Sequence, residues 1–429
     1  MRVVQLIPGT GGTFYCQNCI RDSALVRSLR RHGHDVVMVP MYLPLTLEGG
    51  VSAGVPVFFG GVNAYLQQQF KLFRATPRWV DRFFDAPWML KQAVAREGST
   101  SAAALGPMTL SMLRGRDGNQ RKEVERLAAW LGEQEKPDVV HFSNALLLGV
   151  ADEVKEKLAV PIVCSLQDEH TWLDAMIEPY RTQCWEAIAE KARGVDAFIA
   201  VSRWYAGEMS RRMNIPRDRI RVVPAGMELG GIVPRAGRIS PPAIGYLSRM
   251  CECLGLGLLV DAFLELRKNP GLKDLRLRMT GGHTAEDKDF LARLRAKIDQ
   301  HGAAGHADFL DDFQGDARRE FLCSLSVLSV PMPEGEAFGT FIIEALACGV
   351  PVVQPAAGAF PEIIKATGGG IVYDPNEAGA LAKALEGLLL DPENARELGN
   401  RGRAAVLRDF DVETTSEQVL AVYSEVVKA

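Results

Sequence analysis

No stretch of this chain reaches the about 20 uncharged apolar residues that a membrane-crossing helix needs, so a spanning segment is not expected. An excess of basic charge is missing too. The 49 Lys and Arg stand against 53 Asp and Glu, and a net charge of −4 excludes a global field that would gather nucleic acid. A leader is not evident, because Met1-Arg2 runs at once into the short apolar segment VVQLI, and a cytoplasmic location is the expectation. Repeats at solenoid spacing and low-complexity tracts are absent, which sets aside repeat architectures and disordered linkers. Eight cysteines in a chain of this kind read as free thiols or a metal site, not as a disulfide framework.

What is present fits a larger enzyme. A chain of 429 residues exceeds one typical core and suits two domains. Its 47% hydrophobic and 24% charged residues are ordinary for a globular protein, so the distinguishing signal has to come from pattern.

The pattern is strand, loop, helix. VVQLIP at 3–8 reads as a buried parallel strand, PGTGGTFYCQNC as a glycine-rich loop, and a helix follows to about Arg31. DVVMV is strand two, after Gly33. VPVFF at 55–59 reads as a further strand. A stretch of amphipathic helices then carries Lys71, Arg74, Arg78, Arg82, Lys91 and Arg96 among Phe70, Phe73, Trp79, Phe83, Phe84 and Trp88. It reads either as a helical cap with snorkelling basic residues or as an acceptor or membrane-surface patch. The rhythm resumes with DVVHF at 138–142, PIVCSL at 161–166, AFIAVS at 197–202 and IRVVP at 220–224. Ligands of open α/β sheets sit beyond the carboxyl ends of strands. That rule singles out His141, Ser143 and Asn144, then Gln167, Asp168, Glu169 and His170, then Ser202 and Arg203.

Residues 225–241, rich in Gly, Pro and Arg, read as a linker. A second doubly wound domain opens with AIGYLS at 243–248 and the loop RMCECLG, followed by a helix from about Leu256 to Lys268. LRLRMTGG at 275–282 and ADFLDD at 307–312 are further strands, and a final helix covers about 412–428.

The segment Pro333–Val353, PEGEAFGTFIIEALACGVPVV, carries the sharpest signal. Pro331 and Pro333 stop the preceding apolar run, and Gly335 and Gly339 free the loop to turn. The helix is expected to start near Thr340, with Ile342, Ile343, Leu346 and Ala347 as its buried stripe. Gly349 and Pro351 stop it ahead of the strand VPVV. Two carboxylates, Glu336 in the loop and Glu344 in the helix, are separated by seven residues. A helix N-terminus fed by such a loop favours anions, and an acid within an apolar helix accepts hydrogen bonds from sugar hydroxyls. The bland alternative is a solvated helix acid.

This segment resembles the Glu-x7-Glu signature of the retaining glycosyltransferases of family four, and the resemblance continues through CGVPVVQPAAGAFPEII and GGGIVYDP. It implies the GT-B fold: α/β, two Rossmann-like doubly wound domains facing across a cleft. It also implies that Glu336 faces the donor sugar, that Glu344 holds the nucleotide ribose, and that Ala337, Phe338, Gly339 and Thr340 line the donor. By the same resemblance Gly11 and Gly12 lie at the donor diphosphate, where backbone approaches phosphate without a Cβ in the way. Relatives carry a His where this chain has Gln167. His170 is the candidate to take that place through a shifted loop, with a surface position as the alternative.

One departure stands out. The family has an Arg, a Lys five residues on, and then Gly. Here Arg249 and Gly255 are in place, but Leu254 stands where the Lys would be. Leucine supplies neither charge nor donor, which weakens the stabilisation expected for a diphosphate leaving group. The same loop carries Cys251 and Cys253, and the first glycine loop carries Cys16 and Cys19. These four read as packing residues, as redox thiols, or as ligands of a zinc ion or an iron–sulfur cluster. Cys164, Cys184, Cys323 and Cys348 read as packing.

The expected organisation is an acceptor-side domain over 1–225 with a helical insertion at about 60–132, then a linker at 226–242. A nucleotide-sugar domain follows over 243–410, and a helix over 411–429 returns to the first domain. The expected function is transfer of a sugar, with retention, from a nucleotide-diphosphate sugar to a sugar, lipid or small-molecule acceptor. No cofactor is required for this, and a peripheral contact at the inner membrane face accompanies the lipid alternative. The catalytic candidates are Glu336, Arg249 and His170. The rivals are an epimerase or phosphorylase on the same fold, and a nucleotide-sugar-binding protein that has lost transfer and uses a cysteine-based redox or metal site.

Overall fold

A computed structural model describes residues 1–9, 14–42, 58–59, 68, 102–234, 237 and 239–428. The chain divides into two compact units. One gathers Met1–Gly11, Asn18–Pro224 and Ser416–Ala429, and the other gathers Gly12–Gln17 and Ala225–Thr415.

The first unit is built on a six-stranded sheet with β1 (Arg2–Ile7), β2 (Asp35–Pro40), β3 (Val139–Phe142), β4 (Ile162–Leu166), β5 (Ala197–Ala200) and β6 (Ile220–Val222) in the order β2-β1-β3-β4-β5-β6. All neighbours pair in parallel, with Val3 beside Val36 on one side and Val139 on the other. Strands covered on both faces need no polar alternation, which is why they appear in the sequence as continuous apolar runs. The helix Gln17–Arg31 lays Val26 and Leu29 on this sheet, against Val3, Ile7, Val36 and Met38. Basic Arg30 and Arg31 sit in its last turn, where the helix dipole favours them. The terminal helix Val412–Lys428 adds Val419, Val422 and Tyr423 to the same core, and Ser416 meets Ser28 in a buried hydroxyl pair at 2.8 Å.

The second unit repeats the architecture. Its strands are β7 (Ala243–Leu247), β8 (Arg276–Thr280), β9 (Ala307–Phe309), β10 (Val327–Leu328), β11 (Val352–Pro355) and β12 (Gly370–Tyr373), ordered β12-β11-β10-β7-β8-β9 and all parallel. The order reverses direction beside β7, so the loops leaving β7 and β10 flank the point where ligands of open α/β sheets bind. The β7 loop returns through Gly255 into the helix Leu256–Leu266. Gly255 has φ +79, and a Cβ there would lie 2.1 Å from the Pro331 carbonyl oxygen, so only glycine lets the two loops lie against each other. The β10 loop leads to the helix Thr340–Ala347, every residue of which is buried.

Both sheets match the fold class expected from the sequence. Of the predicted insertion, the helices Ala102–Leu113 and Arg121–Glu133 are described. Gly11, Gly12 and the basic-aromatic stretch from Phe70 to Arg96 lie outside the described residues, as does most of the predicted strand 55–59; its Phe58 and Phe59 are buried in bends.

Candidate active site

Glu344 sits on the helix Thr340–Ala347 and is 7% exposed, so it is not a solvated helix acid. A buried carboxylate needs partners for both oxygens. Arg318 Nε donates to Oε1 at 2.8 Å, and the Tyr15 hydroxyl donates to Oε2. Arg318 comes from the helix Gly315–Cys323 and is steadied by a bond from Nη1 to the Phe313 carbonyl at 3.2 Å. Its guanidinium also lies 5.8 Å from the centre of the Tyr15 ring. Burial, and then the Glu344 charge, push the Tyr15 phenol well above its ordinary range, so it donates as a neutral group.

Glu336 accepts two bonds from Gln17 Nε2, both at 2.9 Å. The same glutamine's Oε1 accepts from the Thr340 backbone N–H at 2.6 Å, one of the N–H groups that the start of a helix leaves without an intrahelical partner. The Glu336 carbonyl accepts from Ala359 N at 2.9 Å, which fixes the loop in place.

Arg249, at the end of β7, does not stand open. Its Nε and Nη2 make a two-pronged pair with Asp287 Oδ2 and Oδ1 at 2.9 Å each, and Nη2 also reaches Thr284 Oγ1 at 2.8 Å. Thr284 and Asp287 form a reciprocal capping box. Burial works against the Asp287 charge, but the bonds from Arg249 and Thr284 win and hold its pKa below the usual value. The guanidinium also lies 5.9 Å from the centre of the Phe14 ring. Leu254 is half-buried in a short 3-10 turn, and its carbonyl accepts from Tyr246 Oη at 3.4 Å, so backbone rather than side chain is used there.

Two thiols of the same loop are paired. Cys251 Sγ and Cys253 Sγ lie 2.8 Å apart, with Cys251 buried and Cys253 exposed. The hydrogen bond with Cys251 brings Cys253 down to about 7 against the partial desolvation of its sulfur, with Arg249 adding to the effect. Among the described residues no three His, Cys, Asp or Glu side chains are arranged to hold a metal ion. Of the expected set Cys16, Cys19, Cys251 and Cys253, the last two are adjacent. A sequential C-x-C brings two sulfurs together by local turn geometry.

In the first unit the candidates gather beyond β3 and β4. Glu169 is fully buried and organises the β4 loop, accepting from Ala145 N at 2.9 Å, Gln167 N at 2.8 Å and Tyr205 Oη at 2.6 Å. Gln167 Nε2 donates to Asp22 Oδ1 at 3.2 Å and to the Ser143 carbonyl. Burial raises Asp22 to about 6, against the lowering pull of Arg21 and its hydrogen bonds. His170 is not a surface residue: it is 7% exposed, Nδ1 is 3.3 Å from Tyr205 Oη, and Nε2 has no hydrogen-bond partner among the described residues. His141 is a core residue rather than a ligand position. Its ring nitrogens meet Ser165 Oγ at 2.8 Å and Tyr423 Oη at 2.7 Å, and burial takes its pKa down to about 3. Ser202 serves as an N-cap, accepting from Tyr205 N.

Tyr15, Gln17, Arg318, Asp287 and Asp22 were not singled out from sequence. Only Asp287 left a local trace, the Thr-x-x-Asp spacing of a capping box.

Two parallel doubly wound units, the second carrying paired acids at a helix start, define the GT-B class of nucleotide-sugar enzymes. The chain belongs to the group 1 glycosyltransferases and is itself a glycosyltransferase. The model "Glycosyl transferases group 1" matches residues 238–405, and "Glycosyl transferase 4-like domain" matches residues 23–226. The chain is 28% identical over 322 residues to the D-inositol 3-phosphate glycosyltransferase of Acidothermus cellulolyticus, covering 71% of this chain and 69% of that one. It is 25% identical over 303 residues to the MMP alpha-(1->4)-mannosyltransferase of Mycolicibacterium hassiacum, covering 68% and 71%. Among solved structures, sucrose-phosphate synthase from Thermosynechococcus elongatus superposes with a TM-score of 0.74 at 18% identity, covering 100% of this chain and 99% of that one. Anabaena HepE in complex with UDP and glucose gives a TM-score of 0.69 at 18% identity, covering 99% and 100%.

Proposed function

We propose that the second unit holds a nucleotide-diphosphate sugar, with Glu344 on the ribose, Arg249 at the diphosphate and Glu336, with residues 337–340, on the sugar. The observation that carries this reading is Gln17 joining Glu336 to the Thr340 N–H at the helix start, with buried Glu344 one turn further along the same helix. Gly11 and Gly12 are assigned to the diphosphate by the family resemblance alone. The acceptor hydroxyl belongs to a sugar, a lipid or another small molecule and is bound by the first unit. His170, held below its usual pKa chiefly by burial, offers a neutral imidazole to the acceptor.

The reaction retains configuration. The bond from the anomeric carbon to the diphosphate oxygen breaks, the bond to the acceptor oxygen forms on the same face, and the acceptor proton passes to the departing phosphate oxygen. Arg249 and backbone N–H groups stabilise the charge that develops there, without the second side-chain cation. The test is calorimetric titration with UDP- and GDP-sugars, since one structural neighbour is bound to UDP and one relative is named as GDP-mannose-dependent. Glu344→Ala is expected to weaken donor binding by about 1–3 kcal/mol through lost charged hydrogen bonds. Unchanged affinity in a folded variant removes Glu344 from the donor site.

A further inference from the structure

The groups assigned above to the donor are occupied by the chain itself. Tyr15 Oη takes one oxygen of Glu344, Gln17 Nε2 spans both oxygens of Glu336, and Gln17 Oε1 takes the Thr340 N–H. The Phe14 ring faces the Arg249 guanidinium. Two backbone contacts hold the strip in place: Phe14 bridges Gly282 in antiparallel fashion, and Tyr15 N donates to the Gly281 carbonyl at 2.8 Å. Tyr15 is 4% exposed, so this is a packed arrangement and not a loose surface strand.

We propose that Phe14–Gln17 is a built-in competitor for the donor, a plug that satisfies the two acids when no nucleotide sugar is bound and has to leave before one enters. The inference rests on the donor-site reading above. Its chemistry is that of mimicry. A phenol O–H on Glu344 supplies the donor that a ribose hydroxyl would supply, and a primary amide supplies Glu336 and Thr340 with the donor and acceptor pair of a sugar diol. A buried carboxylate left bare is costly, so an empty site held by its own chain is more stable than an open one. The consequence for affinity follows: a donor that must displace these bonds binds more weakly than the site's own chemistry allows. Tyr15 and Gln17 are positioning residues in this account, acting through Glu344 and Glu336.

The sign of a mutation separates a plug from a ligand-binding strip. The probes are UDP and GDP alone, titrated calorimetrically against the full chain and against Tyr15→Phe, Gln17→Ala and Glu344→Gln. Tyr15→Phe keeps the ring and removes only the competing hydroxyl, and Gln17→Ala offers a second route if the first fails to fold. The expected result is tighter nucleotide binding in Tyr15→Phe, by about three- to tenfold, together with a lower melting temperature of the unliganded protein. Glu344→Gln is expected to bind more weakly. Weaker or unchanged binding in both Tyr15→Phe and Gln17→Ala, with Glu344→Gln still impaired, overturns the plug and leaves the donor site standing. No change in any of the three overturns both.

Discussion

Cysteine 253 is the residue whose reactivity follows most directly from its surroundings. A hydrogen bond with Cys251 and the nearby Arg249 lower the thiol pKa of exposed Cys253, which favours its thiolate. Its alkylation by a neutral maleimide should rise with pH through a midpoint near 7, while buried Cys251, pushed up by the same bond, stays slow. Cys251→Ser should move the midpoint, and a profile centred near the ordinary thiol value in the native protein would remove the pairing. The residue scale is also where sequence was most uneven as a guide. Glu336, Glu344 and Arg249 were legible because they sit at fixed offsets from glycines and a helix start, and those offsets are local. Tyr15, Gln17 and Arg318 were not, because each meets its acid only through tertiary folding: Tyr15 and Glu344 are 329 positions apart. No periodicity encodes such a contact.

Among the elements, the described strands were the easiest to read, since parallel strands covered on both faces leave continuous apolar runs. What those runs concealed is the polar chain beneath the terminal helix. Tyr423, on Val412–Lys428, meets His141 on β3, which meets Ser165 on β4, all buried. The rule that ligands gather at strand ends drew attention to His141, but that rule cannot say which way a side chain points. Tyr423→Phe leaves His141 Nδ1 without its partner and should cost about 1–2 kcal/mol in urea denaturation. The pH dependence has a definite sign. His141 is depressed from 6.5 to about 3, chiefly by burial and then by Arg21, so the unfolded chain takes up the proton first. Its contribution to stability is present above about pH 6.5 and is lost as pH falls toward 3. A His141→Gln variant that lost stability as steeply as the native protein between pH 6.5 and pH 4.5 would contradict the buried neutral imidazole.

At the scale of the whole molecule, each unit is a doubly wound sheet, and the terminal residues Ser416–Ala429 belong to the first unit although they follow the second in sequence. The resemblance implied a helix over 411–429 that returns to the first domain; Val419, Val422 and Tyr423 of Val412–Lys428 pack in the core of the first sheet. Among the described residues no helix is long and apolar enough to cross a membrane. The molecule's central chemical claim is retaining transfer from a nucleotide-diphosphate sugar. The most direct test is time-resolved proton NMR of the anomeric signals while the full-length protein consumes a panel of α-linked UDP- and GDP-sugars in water. The account predicts that one donor is cleaved and that the free sugar appears first as the α-anomer, before mutarotation mixes the signals. First appearance of the β-anomer, or no cleavage of any donor in the panel, would contradict it.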